Sequence, residues 1–247
     1  MQTDPIVAIV GKGNVGSHLY KMLQTTPCNV TSVDSRTLEG LTSDADYIIL
    51  AVSDSAIGDV ASKLSASMNG FKGIVAHTAG SVSQEVLARY FSRYGVFYPL
   101  QTFSKNVAIQ SYRDIPFFVE GNSRKTEKNL AHLALSISDK VWALDSEKRR
   151  RVHLASVFAC NFTNAMYRLG EEILASENLP FEILRPLITQ TADKIMTRLP
   201  NECQTGPASR GDDKVMEEHL NMLASQPLEA EIYRLISRYI GNEQNRL

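Results

Sequence analysis

The stretch from Ile6 to Gly16 limits what this chain can fold into more than any other part of it. Ile6 to Val10 is a short unbroken apolar run, the pattern of a strand buried on both faces of a parallel sheet. It leads directly into Gly11-Lys12-Gly13-Asn14-Val15-Gly16, a G-x-G-x-x-G sequence. Val15, Leu19, Met22 and Leu23 then recur at helical spacing until Thr25-Thr26-Pro27 breaks the pattern, and Val30 to Val33 read as a second strand. Strand, glycine turn, helix and strand make one βαβ unit, and that context gives each glycine a physical task. Gly11 permits the tight turn, Gly13 lets the backbone approach a pyrophosphate, and Gly16 lets helix and strand pack closely. The free N–H groups and the positive end of the helix dipole attract phosphates. The expectation is a dinucleotide site on Gly11, Lys12, Gly13, Asn14, Val15 and Gly16; the bland alternative is a glycine-rich surface turn.

The end of the second strand decides which dinucleotide is expected. An acidic side chain there commonly accepts the ribose hydroxyls of NAD, and the residues available are Val33-Asp34-Ser35-Arg36. Asp34 or Ser35 falls at the ribose. Arg36 offers a cationic fork suited to a 2′-phosphate, so the reading favours NADP over NAD, with Ser35 and Arg36 as contacts. A solvated arginine and a turn-capping aspartate are the plain alternatives.

Further apolar runs at Tyr47 to Val52, Gly73 to Ala76, Val96 to Tyr98, Phe117 to Val119 and Val141 to Leu144 alternate with helical or loop segments. Alternation of this kind predicts a doubly wound, mostly parallel α/β sheet of the Rossmann type over residues 1–144. From Asp145 the texture becomes helical and stays so, with Pro180, Pro186, Pro200, Pro207 and Pro227 separating segments, which predicts an all-α C-terminal domain over 145–247. A formal charge of -1 argues against a nucleic-acid partner, and no apolar run reaches membrane-spanning length. Cys28, Cys160 and Cys203 lack the spacing of a metal or redox pair, so no metal site is expected and the cytoplasm is the expected compartment.

Open α/β sheets bind ligands at the carboxyl ends of their strands. Ala51, Val52 and Ser53, read as the end of a fourth strand, and Ala76 to Ser81, read as the end of a fifth, should therefore face the cofactor. Ser53 can reach the nicotinamide ribose, while His77, Thr78 and Ser81 can hydrogen-bond a substrate oxygen or carboxylate; the plain alternatives are a strand-end turn residue for Ser53 and, for His77, a ring that only satisfies a loop backbone group. Gln101 and Thr102, after the Tyr98-Pro99 step, are expected to line the substrate pocket, with Tyr98, Leu100 and Phe103 as core in the alternative reading. Arg210, after Gln204 to Pro207, is either an anion contact or half of a structural Arg–Asp pair. Lys148-Arg149-Arg150-Arg151 diverge by about 100° per residue and read mainly as a solvated helix face.

The segments Ala51-Val52-Ser53-Asp54, His77-Thr78-Ala79-Gly80-Ser81, Tyr98-Pro99-Leu100-Gln101-Thr102-Phe103, His153 with Ala155 to Asn161, and Gln204-Thr205-Gly206-Pro207 together resemble one family. It comprises bacterial NADP oxidoreductases that join a Rossmann-like domain to an uncharacterised helical domain, relatives of deazaflavin-dependent NADP oxidoreductases and pyrroline-5-carboxylate reductase. The resemblance implies NADP binding and a homodimer and supplies no substrate; the glycine fingerprint in its context and the polar set spread over both domains point to hydride transfer between NADP(H) and a small carbonyl, imine or hydroxy metabolite. The stretch between Arg36 and Asp46 is shorter than relatives carry. Asn164 lies about 20° and Asn161 about 80° from His153 around an ideal helix. The resemblance to the wider dehydrogenase superfamily then implies catalytic roles for His153, Asn161 and Asn164, with histidine as the acid–base group. A different class also fits the fold: a dinucleotide-sensing or protein-interaction module that catalyses nothing.

Overall fold

The computed structural model describes residues 4–105 and 107–244. Contacts divide the chain into two compact units, Met1–Asn161 and Phe162–Leu247.

The first unit is built on strands β1 (Ile6–Val10), β2 (Asn29–Val33), β3 (Tyr47–Leu50), β4 (Ile74–His77), β5 (Tyr94–Pro99), β6 (Phe117–Gly121) and β7 (Val141–Ala143). They form one sheet in the order β2-β1-β3-β4-β5-β6-β7. All neighbours are parallel except β5 and β6. This is the doubly wound, Rossmann-type sheet that the alternating pattern predicts. Successive residues of each buried strand supply opposite faces. Val7 and Ile9 pack with Leu19, Met22 and Leu23 of α1 (Asn14–Gln24) and Leu130, Leu133 and Ala134 of α3 (Arg124–Ile137). Ala8 and Val10 pack on the other face with Ile57, Val60, Ala61 and Leu64 of α2 (Ile57–Ser67).

Two expectations change. Ala51 to Ser53 follow the third strand and His77 closes the fourth, because no strand forms between Val33 and Tyr47. That stretch turns instead through Leu38 and Gly40, both at positive φ. The helix expected to run unbroken from residue 145 is α4 (Ser146–Ser156), a π-helical segment (Val157–Phe162) and α5 (Thr163–Ser176). Asp145 caps α4, its carboxylate accepting the Lys148 N–H at 2.8 Å.

The second unit is helical, as expected. It contains α5, α6 (Arg185–Ile195), the short helices α7 (Pro200–Cys203) and α8 (Pro207–Arg210), α9 (Asp213–Met222) and α10 (Pro227–Gln244). Among the described residues, Ala230 is its one buried hydrophobic residue. No described helix is long and apolar enough to cross a membrane.

Candidate functional site

Strand order runs outward in both directions from β1 and β3, and the connections leave these two strands on opposite faces. That switch opens a crevice above their carboxyl ends. A cleft of about 550 Å³ lies there, lined by Gly11 to Val15, Asp34 to Arg36, Ala51 to Ser53 and Ala56. Of the cofactor residues expected from the sequence, all but Gly16 line it.

Gly16 acts from below. A side chain at Gly16 would collide with the Gly11 carbonyl, and one at Gly11 with the Ala51 carbonyl, so the turn is pressed against the β3 end and the start of α1. Gly13 is the opposite case: nothing lies within 4 Å of where its Cβ would be, and the residue is exposed. The space over Gly13 belongs to the cleft. Gly11 donates its N–H to the Val33 carbonyl at 2.9 Å, locking the turn to β2. The first N–H groups of α1 have no intrahelical acceptor and point into the opening.

At the rim, Asp34 Oδ1 accepts the Arg36 backbone N–H at 2.8 Å, so this carboxylate is partly committed to its own turn. The Arg36 side chain is exposed and forms no ion pair among the described residues. It also lines a second cavity of about 350 Å³, shared with Leu38, Leu41, Lys63, Ser67 and Met68. Ser53, exposed at the start of a 3-10 turn (Asp54–Ala56), makes no capping bond with its hydroxyl.

The residues expected to touch substrate are distributed differently. His77 is fully buried. Its Nδ1 accepts the Ala79 N–H at 3.2 Å, and its Nε2 lies 3.3 Å from the Ser83 carbonyl. Burial, then the nearby Arg149 charge, lowers its pKa to about 4, against the opposing pull of the Ser83 carbonyl and Asp54. His77 therefore holds the loop Thr78–Ser83 as a neutral ring, and no nitrogen is left for a substrate. Thr78 is buried as well, its hydroxyl donating to the Leu50 carbonyl at 3.4 Å. Ser81 is exposed and donates to Asp54, joining the loops after β4 and β3. Gln101 and Thr102 bond each other, with Gln101 Oε1 accepting the Thr102 N–H at 2.8 Å; both are exposed and neither lines the cleft.

His153, half-buried on α4, places Nδ1 at 3.1 Å from the Tyr98 hydroxyl. Asn161 and Asn164 are exposed, but the unit boundary passes between them inside the π-helical segment. The angles expected from an ideal helix do not survive that segment, because its i→i+5 bonds wind the chain with more residues per turn. Arg149, expected on a solvated face, is fully buried and paired with Glu120 of β6, while its other nitrogen donates to the Val82 carbonyl. Ser146 also donates to Glu120, through its N–H at 3.0 Å and its hydroxyl at 2.8 Å. In the second unit, Arg210 makes no ion pair among the described residues. Thr205 to Ala208 line an apolar cavity of about 360 Å³ beside His219 and Tyr233.

Asp54, Tyr98 and Arg149 were not singled out by the sequence as functional or buried polar groups. An unbroken basic run conceals the one arginine that turns inward, and Tyr98 sits in an apolar strand where its ring alone explains its presence.

Residues 115–240 match the family model described as a domain of unknown function, DUF2520. The chain is 35% identical to a "putative NADP oxidoreductase" from Bacteroides fragilis, covering 97% of this chain and 99% of that one with a TM-score of 0.87. A Thermotoga maritima protein superposes with a TM-score of 0.73 at 22% identity, over 97% of this chain and 98% of that one. A 1-pyrroline-5-carboxylate reductase from Streptococcus pyogenes does so with a TM-score of 0.64 at 14% identity, over 98% and 100%. No functionally curated protein matches the sequence significantly.

Proposed function

The chain belongs to the family defined by the DUF2520 domain, and we propose that it is an NADP-dependent oxidoreductase acting on a small carbonyl, imine or hydroxy metabolite. One observation carries this reading. The cleft at the β1/β3 switch point combines a glycine cradle open over Gly13, unsatisfied helix N–H groups and an unpaired arginine at the ribose end. The B. fragilis relative, similar over nearly its whole length, bears an NADP oxidoreductase name.

A nicotinamide dinucleotide held in such a cleft supplies or accepts hydride; the protein contributes binding, orientation and proton movement. The N–H groups of the Gly11–Gly16 turn hold the pyrophosphate. Ser35 and Arg36 read the 2′-phosphate, and Lys63 lines the adjoining cavity together with Arg36. Ala51 and Val52 form the wall, and the Ser53 hydroxyl meets the nicotinamide ribose. Ser81 lies on the substrate side, and His153 moves the proton while Asn161 orients a substrate oxygen.

We also propose a homodimer in the cytoplasm. The helical unit buries almost no core of its own while Leu187, Met196, Leu199 and Met222 are between 64% and 81% exposed, a surface that a second copy would cover. The three cysteines are unpaired, as a reducing compartment keeps them.

The test is oxidation of NADPH by purified protein with pyrroline-5-carboxylate, an aldehyde, a ketone and a 2-oxo acid as probes. Turnover of any of them supports the reading. Tight NADPH binding without turnover on a wide panel favours the non-catalytic sensing module.

A further inference from the structure

We propose that Tyr98 is a catalytic residue that delivers the proton to the substrate, and that His153, hydrogen-bonded to it, resupplies that proton. This rests on the oxidoreductase reading above and assigns a residue that the reading does not use.

Packing alone does not require the Tyr98 hydroxyl. The ring lies at the carboxyl end of β5 in a small apolar cluster with Val96, Phe118, Leu100, Leu144 and Val152. A phenylalanine would fill that place equally well. A buried phenol needs a partner, and here the partner is an ionisable ring from another element: His153 Nδ1 on α4 at 3.1 Å, with the rings edge to face at 69°.

The loop after β4 packs its backbone directly against the pair, which only a glycine at position 80 allows. A Cβ at Gly80 would stand 2.7 Å from Tyr98 Cζ and 2.8 Å from His153 Nδ1, directly against the hydrogen bond. Gly80 is followed by Ser81, which bonds Asp54, and Asp54 follows Ser53 on the wall of the dinucleotide cleft. A short chain of contacts therefore leads from the cleft to the pair, all within the first unit.

The two ends of the pair suit opposite tasks. Burial raises the Tyr98 pKa, opposed by the Ser156 hydroxyl and Arg149 and reinforced by Asp54, so the phenol carries its proton and can donate it. His153 is half-buried, and its Nε2 has no hydrogen-bond partner among the described residues, leaving it accessible to water. His77, with both nitrogens committed to backbone, cannot do this.

The step balances in the reducing direction. As the substrate C=O or C=N carbon gains hydride from the reduced dinucleotide, its π electron pair passes to the heteroatom, which forms a bond to the Tyr98 proton. The Tyr98 oxygen takes the Nδ1 proton of the His153 imidazolium. The ring is left neutral with its Nε2 proton and a lone pair on Nδ1, and between turnovers a proton delivered from water to Nδ1 restores the imidazolium.

The experiment compares the parent, Tyr98→Phe and His153→Ala. With the probe the parent turns over fastest, Tyr98→Phe should lower kcat by about a hundredfold with NADPH affinity and KM kept. His153→Ala should fall similarly and be partly rescued by added imidazole, whereas Tyr98→Phe should not be. Parent-like kcat in Tyr98→Phe overturns the proposal, and so does failure of imidazole to rescue a slowed His153→Ala.

A second readout needs no substrate. Calorimetric enthalpies in buffers of different ionisation enthalpy count protons exchanged on binding, and taking NADP+ minus NADPH cancels the 2′-phosphate titration. The positive oxidised ring disfavours a nearby cation, so the parent should release more protons with NADP+ than with NADPH. His153→Ala should abolish that difference; equal counts in the two proteins overturn the proposal. A parent that binds neither dinucleotide defeats the oxidoreductase reading itself, whereas variants that bind and react like the parent defeat only the proton pathway.

Discussion

Two glycines three positions apart should respond to substitution in opposite ways. Gly13→Val adds a side chain only to the cleft, because no atom lies within 4 Å of the added Cβ. It should unfold at the parent temperature and fail to bind NADPH in a calorimetric titration. Gly16→Ala drives a methyl into the Gly11 carbonyl, and should lower stability by at least about 2 kcal/mol by denaturant unfolding. Arg36→Ala should weaken NADPH by about 1.5–3 kcal/mol and leave NADH nearly unchanged, since only the 2′-phosphate gains a charge-assisted bond from the guanidinium. Equal losses for both dinucleotides would make Arg36 a general phosphate contact. That Gly11 to Val15 would line one cleft was legible because a motif in a strand-to-helix context fixes backbone positions. His77 stayed open for the complementary reason: the sequence places it at a strand end, where it could face a substrate or satisfy the loop backbone, and the contacts of its two nitrogens with backbone groups appear only in three dimensions.

At the scale of elements, α4 is joined to the sheet by the buried Arg149–Glu120 pair, with Ser146 and the Val82 carbonyl completing the network. Arg149→Met would leave Glu120 buried beside no cation, which should cost about 3–5 kcal/mol in unfolding free energy. Arg149→Lys is the comparison for charge without the second donor arm. The loop after β4 carries its own pH signature. His77 has a pKa of about 4 in the folded protein against an ordinary value of 6.5, so below 6.5 the unfolded chain binds a proton that the native state refuses. Stability should therefore fall as pH drops from about 6.5 to 4, by at most about 3 kcal/mol from this group. His77→Gln should flatten that part of the profile, and an unchanged slope would assign it to other groups. The seven strands were legible from short apolar runs, and their two-faced packing follows from alternation along each strand. The π-helical segment was not, because its apolar and small residues fit an ordinary helix and the shift to i→i+5 bonds leaves no periodicity to detect over six residues.

For the whole molecule, the composition and helical texture after residue 145 announced an all-α region but not how little of it would be buried. Ala230 alone is a buried hydrophobic residue there among the described residues, beside a surface rich in large apolar side chains. Sedimentation velocity should accordingly give twice the mass of one chain, and a monomer at micromolar concentration would remove the homodimer from the account. The central claim, that the cleft above β1 and β3 is an NADP(H) site, is tested most directly by calorimetric titration of the purified protein with NADPH and, separately, NADH. The account predicts one site per chain, tighter for NADPH, with binding lost in Gly13→Val. Absence of heat for both dinucleotides, or NADPH binding that Gly13→Val leaves intact, would contradict it.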